Sequence, residues 1–180
     1  MDRLERRLLS LLDALRQQPT TGNARTVRDA VAALRPTADA LDAGSSRQRP
    51  VRKLYAYIDA ASRDALVDPD ARSHAECCDI ENGLRAALVA SRRDSSVFDL
   101  SCVRDDLDRL SDRIDELQPG EREPLHCLLS YVDARNREAL ELAMRRDWSP
   151  PNVVRRFEMD RTRVRSGARP GSVAEPAPPR

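Results

Sequence analysis

"TVRDAVAALRPTADALDAG" (residues 26–44) and "CVRDDLDRLSDRIDELQPG" (residues 102–120) decide how this chain is organised. Laid on one another, Val27, Arg28, Asp29, Leu34, Asp39, Leu41 and Gly44 fall on Val103, Arg104, Asp105, Leu110, Asp115, Leu117 and Gly120. The register runs backward without a gap, setting Glu5, Leu8, Leu12, Ala14 and Arg16 on Glu81, Leu84, Leu88, Ala90 and Arg92. It runs forward once two residues are removed from the loop at 44–50. "LYAYIDAASRDAL" (54–66) then lies on "LLSYVDARNREAL" (128–140), with Pro50 on Pro124. Of 62 paired positions, 20 are identical. A shared helical period explains aligned leucines. It does not explain aligned Pro50, Gly44, Tyr57 and the Val-Arg-Asp tripeptide with the loops also in register. Self-similarity of this kind is the mark of a duplicated structural unit.

Apolar residues recur at helical spacing almost throughout. The first stripe, Leu4, Leu8, Leu11 and Leu15, predicts a helix over 2–17, with Asp2 and Glu5 as its capping box. The second helix is expected over 21–43, broken or kinked near Arg35 because Pro36 lies within it. A third is expected over 51–67 and a fourth over 73–91, opened by Ser73 and Glu76. The fifth is expected over 96–118, capped by Ser96 and Asp99 and stopped by Pro119-Gly120. The sixth is expected over 123–146, with Pro124 at its first position. The fold class is therefore all-α: two tandem three-helix units, six main helices packed as a bundle. Unit A spans 1–68 and unit B 73–148. A short basic helix or linker at 149–165 and a disordered tail at 166–180 follow.

A unit of about 70 residues is marginal alone, because such a core supplies only ~3–5 kcal/mol. The two units are expected to pack together, or the protein to form a homodimer. The helix shared by both, with Tyr57 and Tyr131, is the expected contact, its tyrosine hydroxyls reaching water. Asp59–Arg63 and Asp133–Arg137 are i,i+4 pairs in the favourable order.

Aromatic residues are 3% of the chain, so the core must be aliphatic. Charged residues are 34%, with a net charge of +1, which selects neither nucleic acid nor an anionic membrane. From Arg145 to Arg180, however, nine Arg stand against four acids. No apolar run approaches the ~20 residues of a membrane span, and the charged N-terminal stretch lacks a signal-peptide core. The expected location is cytoplasmic. Four cysteines, two of them adjacent, do not read as a secreted disulfide framework.

Catalytic constellations are missing. Six glycines form no phosphate loop, no serine elbow appears, and His74 and His126 have no motif that would make either a general base. His74, Cys77, His126 and Cys127 stand near helix starts on one side of an up-down-up unit, but their spacing is not that of structural zinc sites. No metal and no cofactor is expected. "LDRLSDRI" (107–114) resembles the acidic helix motif of PhoU-like phosphate regulators, which are also duplicated three-helix units; Asp108 and Asp112 would be the matching carboxylates. The first copy has Ala32 and Pro36 there, and a solvated helix face is the competing reading. Val103, Leu107, Leu110 and Ile114 also match the loose death-motif pattern of apoptosis regulators, with Ser111-Asp112 as the small-acid pair. The first copy places Arg35-Pro36 at that pair.

The reading that remains is a non-enzymatic helical protein–protein interaction module, an adaptor or regulator. Its candidate partner-binding residues are Asp105, Asp108, Asp112, Asp115, Tyr57 and Tyr131. The alternative is a nucleic-acid-associated regulator contacting phosphate through Arg155, Arg156, Arg161, Arg163 and Arg165, with binding that weakens steeply in salt.

Overall fold

Leucines three and four apart put one apolar stripe on each predicted segment, and each segment becomes a helix that buries it. The computed structural model describes residues 3–18, 20–67, 75–93 and 95–147. These form α1 (Arg3–Gln17), α2 (Thr21–Asp39), α3 (Gln48–Val67), α4 (Ala75–Arg92), α5 (Val97–Glu116) and α6 (Pro119–Asp147). No strand occurs among the described residues. The chain to Ala143 is one compact unit. The short basic helix expected at 149–165 and the tail at 166–180 lie outside the described residues.

α1 packs on α2 and α3, α2 packs on α3, and α4 packs on α5. α6 is tied to α1 through Glu5, to α4 through Ser91 and Arg92, and to α5 through the Leu100 carbonyl. One aliphatic cluster runs through all six helices. It includes Leu8, Val31 and Leu54 from the first half and Leu84, Ile114 and Leu128 from the second, each fully buried. With so few aromatics, this core gains its stability from many Leu, Ile and Val contacts rather than from large rings.

Positions matched in the sequence share their burial. Leu4 and Ile80, Glu5 and Glu81, Leu12 and Leu88, Val51 and Leu125, Tyr57 and Tyr131, and Ser62 and Asn136 are all buried. Leu107, Ile114 and Leu117 of α5 are buried, with Val103 and Leu110 packed against the same core. The apolar stripe of "VRDDLDRLSDRIDEL" is thus occupied by its own protein.

Three local expectations change. α2 runs unbroken through Pro36 and ends three residues later at Asp39, not at 43. Ala38 is buried in its last turn. Pro119 does not merely stop α5. It takes the first position of α6, where a missing N–H costs nothing, and the Gln118 carbonyl accepts from the Glu121 and Arg122 amides at 3.0 and 2.9 Å. Pro124 therefore sits inside α6 rather than at its start. Finally, Glu5 is not at the surface but 2% exposed, while Asp2, its expected capping partner, lies outside the described residues.

The Ser96–Asp99 capping box is present in both directions: the Asp99 amide donates to Ser96 Oγ and the Ser96 amide to Asp99 Oδ2, each at 3.1 Å. Its hydrogen bonds hold the Asp99 carboxyl below the usual carboxylate range. Ser96→Ala removes the side-chain acceptor at the helix start and should cost about 1 kcal/mol. Calorimetry should show the melting midpoint fall by ~2–4 °C for a chain of this size; an unchanged midpoint would mean that the cap is dispensable.

Candidate functional site

Glu5 and Glu81 stand on the apolar stripes of α1 and α4, beside Leu4 and Ile80. Carboxylates at such positions need partners, because an uncompensated buried charge is expensive. The partners of each come from the other half of the chain. Arg16 of α1 donates to both carboxylate oxygens of Glu81, at 2.8 and 2.5 Å, and to the Tyr57 hydroxyl at 3.4 Å. In the matching arrangement, Arg92 of α4 donates to the Tyr131 hydroxyl at 3.1 Å and lies 3.9 Å from Glu5. The Tyr131 hydroxyl donates to Glu5 Oε1 at 2.5 Å.

The second cluster has one further member. Arg135 Nε donates to Glu5 Oε1 at 2.8 Å, and its guanidinium lies 5.5 Å from the centre of the Tyr131 ring. Ala61 occupies the matched position in α3, so the Glu81 cluster has no such second cation. The matched arginines are about equally exposed, but the Glu5 side chain is 2% exposed against 8% for Glu81.

Burial, with the hydrogen bond from Tyr131 to Glu5, pushes the Tyr131 hydroxyl well above its usual range. Burial and the Glu81 carboxylate do the same for Tyr57. For Arg16, burial pulls the pKa down, but Tyr57 and Glu81 outweigh it and the net shift is upward. A protonated tyrosine beside a salt-bridged carboxylate is a locked donor. These groups link helices from the two halves of the chain.

Tyr57 and Tyr131, proposed from sequence as partner-binding residues with hydroxyls in water, are 3% and 0% exposed. Their rings fill the interior because each hydroxyl finds its partner there. The four aspartates proposed with them are placed otherwise. Asp105, Asp108, Asp112 and Asp115 of α5 are all exposed. Asp115 Oδ1 lies 3.0 Å from His126 Nε2 on α6. Among the described residues, no ion pair engages Asp105, Asp108 or Asp112. The neighbouring Asp106 pairs with Arg109 at 3.1 Å.

The Asp59–Arg63 pair forms at 2.6 Å and the Asp133–Arg137 pair forms likewise. Asp59 also takes Arg28 of α2 at 2.5 Å. The cysteines are free. Cys77 is raised by burial and by Glu121, whereas Cys127 is raised by burial against the opposing pull of Lys53. The two thiols thus sit among different neighbours. His74 and the arginines from 155 to 165 lie outside the described residues. Among the described residues, no three His, Cys, Asp or Glu side chains gather as a metal site. No helix among them is long and apolar enough to cross a membrane.

Sequence reasoning missed Glu5, Arg16, Glu81 and Arg92 as a linked set. The signal was there: a Glu and an Arg recur eleven residues apart in both halves. Read along one helix, they look like ordinary surface charges. No protein-family model matches the chain, and no curated protein or solved structure is significantly similar to it.

Two outcomes follow from the clusters. Breaking a buried pair costs about 3–5 kcal/mol, so Glu5→Ala, which removes the acceptor of the buried Tyr131 hydroxyl and leaves Arg135 with Glu138 as its remaining carboxylate, should fall in that range by denaturant unfolding. Glu81→Ala should cost less, because Arg16 can rehydrate; equal losses would show that burial does not set the difference. The raised hydroxyls also make stability pH-dependent. Their contribution is full below the unfolded tyrosine value of ~10 and is lost as pH rises above it, since the unfolded chain then releases protons that the folded one retains. In an absorbance titration at 295 nm, the half-buried Tyr55 should ionise first. Tyr57 and Tyr131 should ionise only as the helices unfold. Three tyrosines titrating together in folded protein would refute the locked hydroxyls.

Proposed function

We propose that this chain is a helical protein–protein interaction module, an adaptor or regulator, made of two copies of a three-helix unit, α1–α3 and α4–α6. The matched burial of paired positions supports the duplication, as does the reciprocal exchange of Glu, Arg and Tyr between the halves. Single units of this kind would pair through an isologous contact, each supplying a carboxylate to the other. Fusing them in one chain makes that contact intramolecular.

The function rests on one contrast. The interiors of the halves match, while the outer faces of α2 and α5 differ. Where α2 carries Ala32 and Pro36, α5 carries the exposed Asp108 and Asp112. With Asp105 and Glu116 they place like charges three and four residues apart on one helix. Each such pair opposes helix formation by ~0.2–0.5 kcal/mol. A face that weakens its own helix and serves no internal contact is suited to an external one. Its chemistry fits a basic surface on a protein partner.

The double substitution Asp108→Lys and Asp112→Lys tests this. Relief of the repulsion should leave circular dichroism unchanged and the melting midpoint equal or slightly higher. A protein captured at a defined ratio by the wild-type chain should be lost by the variant, and its capture should weaken with salt. An identical captured set for both chains, or turnover of a small substrate by clean protein, would overturn the reading.

A further inference from the structure

α1 opens with cations on its outer face. Arg3, Arg6 and Arg7 are all exposed within the first two turns of the helix. Their spacing of three and four residues stacks like charges, which opposes helix formation. They also stand at the positive end of the helix dipole, where cations are unfavourable. Among the described residues, no ion pair engages any of the three.

α5 carries the opposite arrangement. Asp108 and Asp112 are exposed and four residues apart, as Arg3 and Arg7 are, a separation of about 6 Å along either helix. Asp105 extends the row by a turn. Two cations of α5 are turned elsewhere, Arg109 to Asp106 at 3.1 Å and Arg113 to Glu76 at 3.8 Å. Glu116, exposed in the last turn, adds negative charge at the negative end of that helix's dipole.

Both rows arise where the halves differ. Asp79, Asn82 and Gly83 of α4 match Arg3, Arg6 and Arg7 of α1. Asp29, Ala32 and Pro36 of α2 match Asp105, Asp108 and Asp112 of α5. The first half thus carries a basic row and the second an acidic one, and neither row is repeated in the other half. Within one chain they stay apart. α1 meets the second half through Arg16 on Glu81 and Asp13 on Arg85, both of α4. Among the described residues, no ion pair joins the α1 arginines to α5.

We propose that a second copy of this chain docks here, the α1 arginines of one copy lying on the α5 aspartates of the other. The inference rests on the reading of the α5 face as a docking surface, and it names the partner. Charge complementarity selects that occupant. With the start of α1 laid on the later turns of α5, each row meets opposite charge, and each helix end meets the opposite end of a dipole. Two copies satisfy both rows at once when the contact is two-fold symmetric; otherwise copies join head to tail. Exposed ion pairs are individually weak, so this association is of low affinity and sensitive to salt, unlike a permanent dimer.

Sedimentation of the full chain over about 5 to 500 μM tests this. The average mass should rise with concentration in about 20 mM salt and fall back in about 500 mM salt, where exposed charges are screened. Two variants, Asp108→Lys with Asp112→Lys and separately Arg3→Glu with Arg7→Glu, should each stay monomeric. Their circular dichroism should be unchanged, because each relieves repulsion within its own helix. Mixed in equal amounts, they should associate at least roughly tenfold more tightly than either alone, since the reversed rows fit each other. A mere change in stability would not produce that recovery. The proposal falls if the wild-type chain stays monomeric throughout, if Arg3→Glu with Arg7→Glu associates like wild type, or if the mixture stays monomeric. A monomeric wild-type chain that still loses a captured protein on Asp108→Lys with Asp112→Lys removes the second copy and leaves the acidic face to a different protein. A chain that neither self-associates nor captures a protein through those aspartates removes both readings.

Discussion

The Glu5 carboxylate is the constraint on which the arrangement of the halves depends. It lies on the apolar stripe of α1, almost wholly out of water. It is tolerable there only because Tyr131 and Arg135 of α6 donate to it and Arg92 of α4 stands nearby. All three come from the other half of the chain. A shift of one half against the other would leave a charge without partners inside an aliphatic core. Leucine and isoleucine contacts supply the cohesion, but they are tolerant of sliding. Directional bonds to a buried charge are not, and they hold the helices in register.

The Glu81 cluster applies the same constraint from the opposite side, with a slightly more exposed carboxylate. Arg16 grips Glu81 with two nitrogens and touches Tyr57. The difference between the clusters is Arg135, which has only Ala61 at its matched position. A pair of related units need not remain equal. Here the second unit adds a cation inside and aspartates outside. Each change lies on a surface or contact that the core does not require, so each can vary while the interior stays paired.

One tempting reading of α5 does not survive its packing. As a death-motif helix, it would have to offer Leu107 and Ile114 to a groove on another protein. Both are already buried in the protein's own core. The carboxylates of the second resemblance, Asp108 and Asp112, are exposed on its outer face. What α5 leaves exposed is its charge and, near its start, Phe98, which is 75% exposed. The charged face is the one on which the proposed function rests.

By itself, the sequence determined the number, type and approximate limits of the helices, because periodic leucines, Ser96 with Asp99, and loop residues act locally. It determined the internal correspondence too, since Pro50, Gly44, Tyr57 and the Val-Arg-Asp tripeptide align along the chain. It misjudged Pro36, through which α2 continues with Ala38 buried in its last turn, and Pro119, which serves two helices at once. Only the tertiary structure decided what the recurrent Glu, Arg and Tyr do. Their partners lie 39 to 130 residues away in the chain. No local pattern states which carboxylate will be enclosed by which cation; that follows from where two amphipathic surfaces meet.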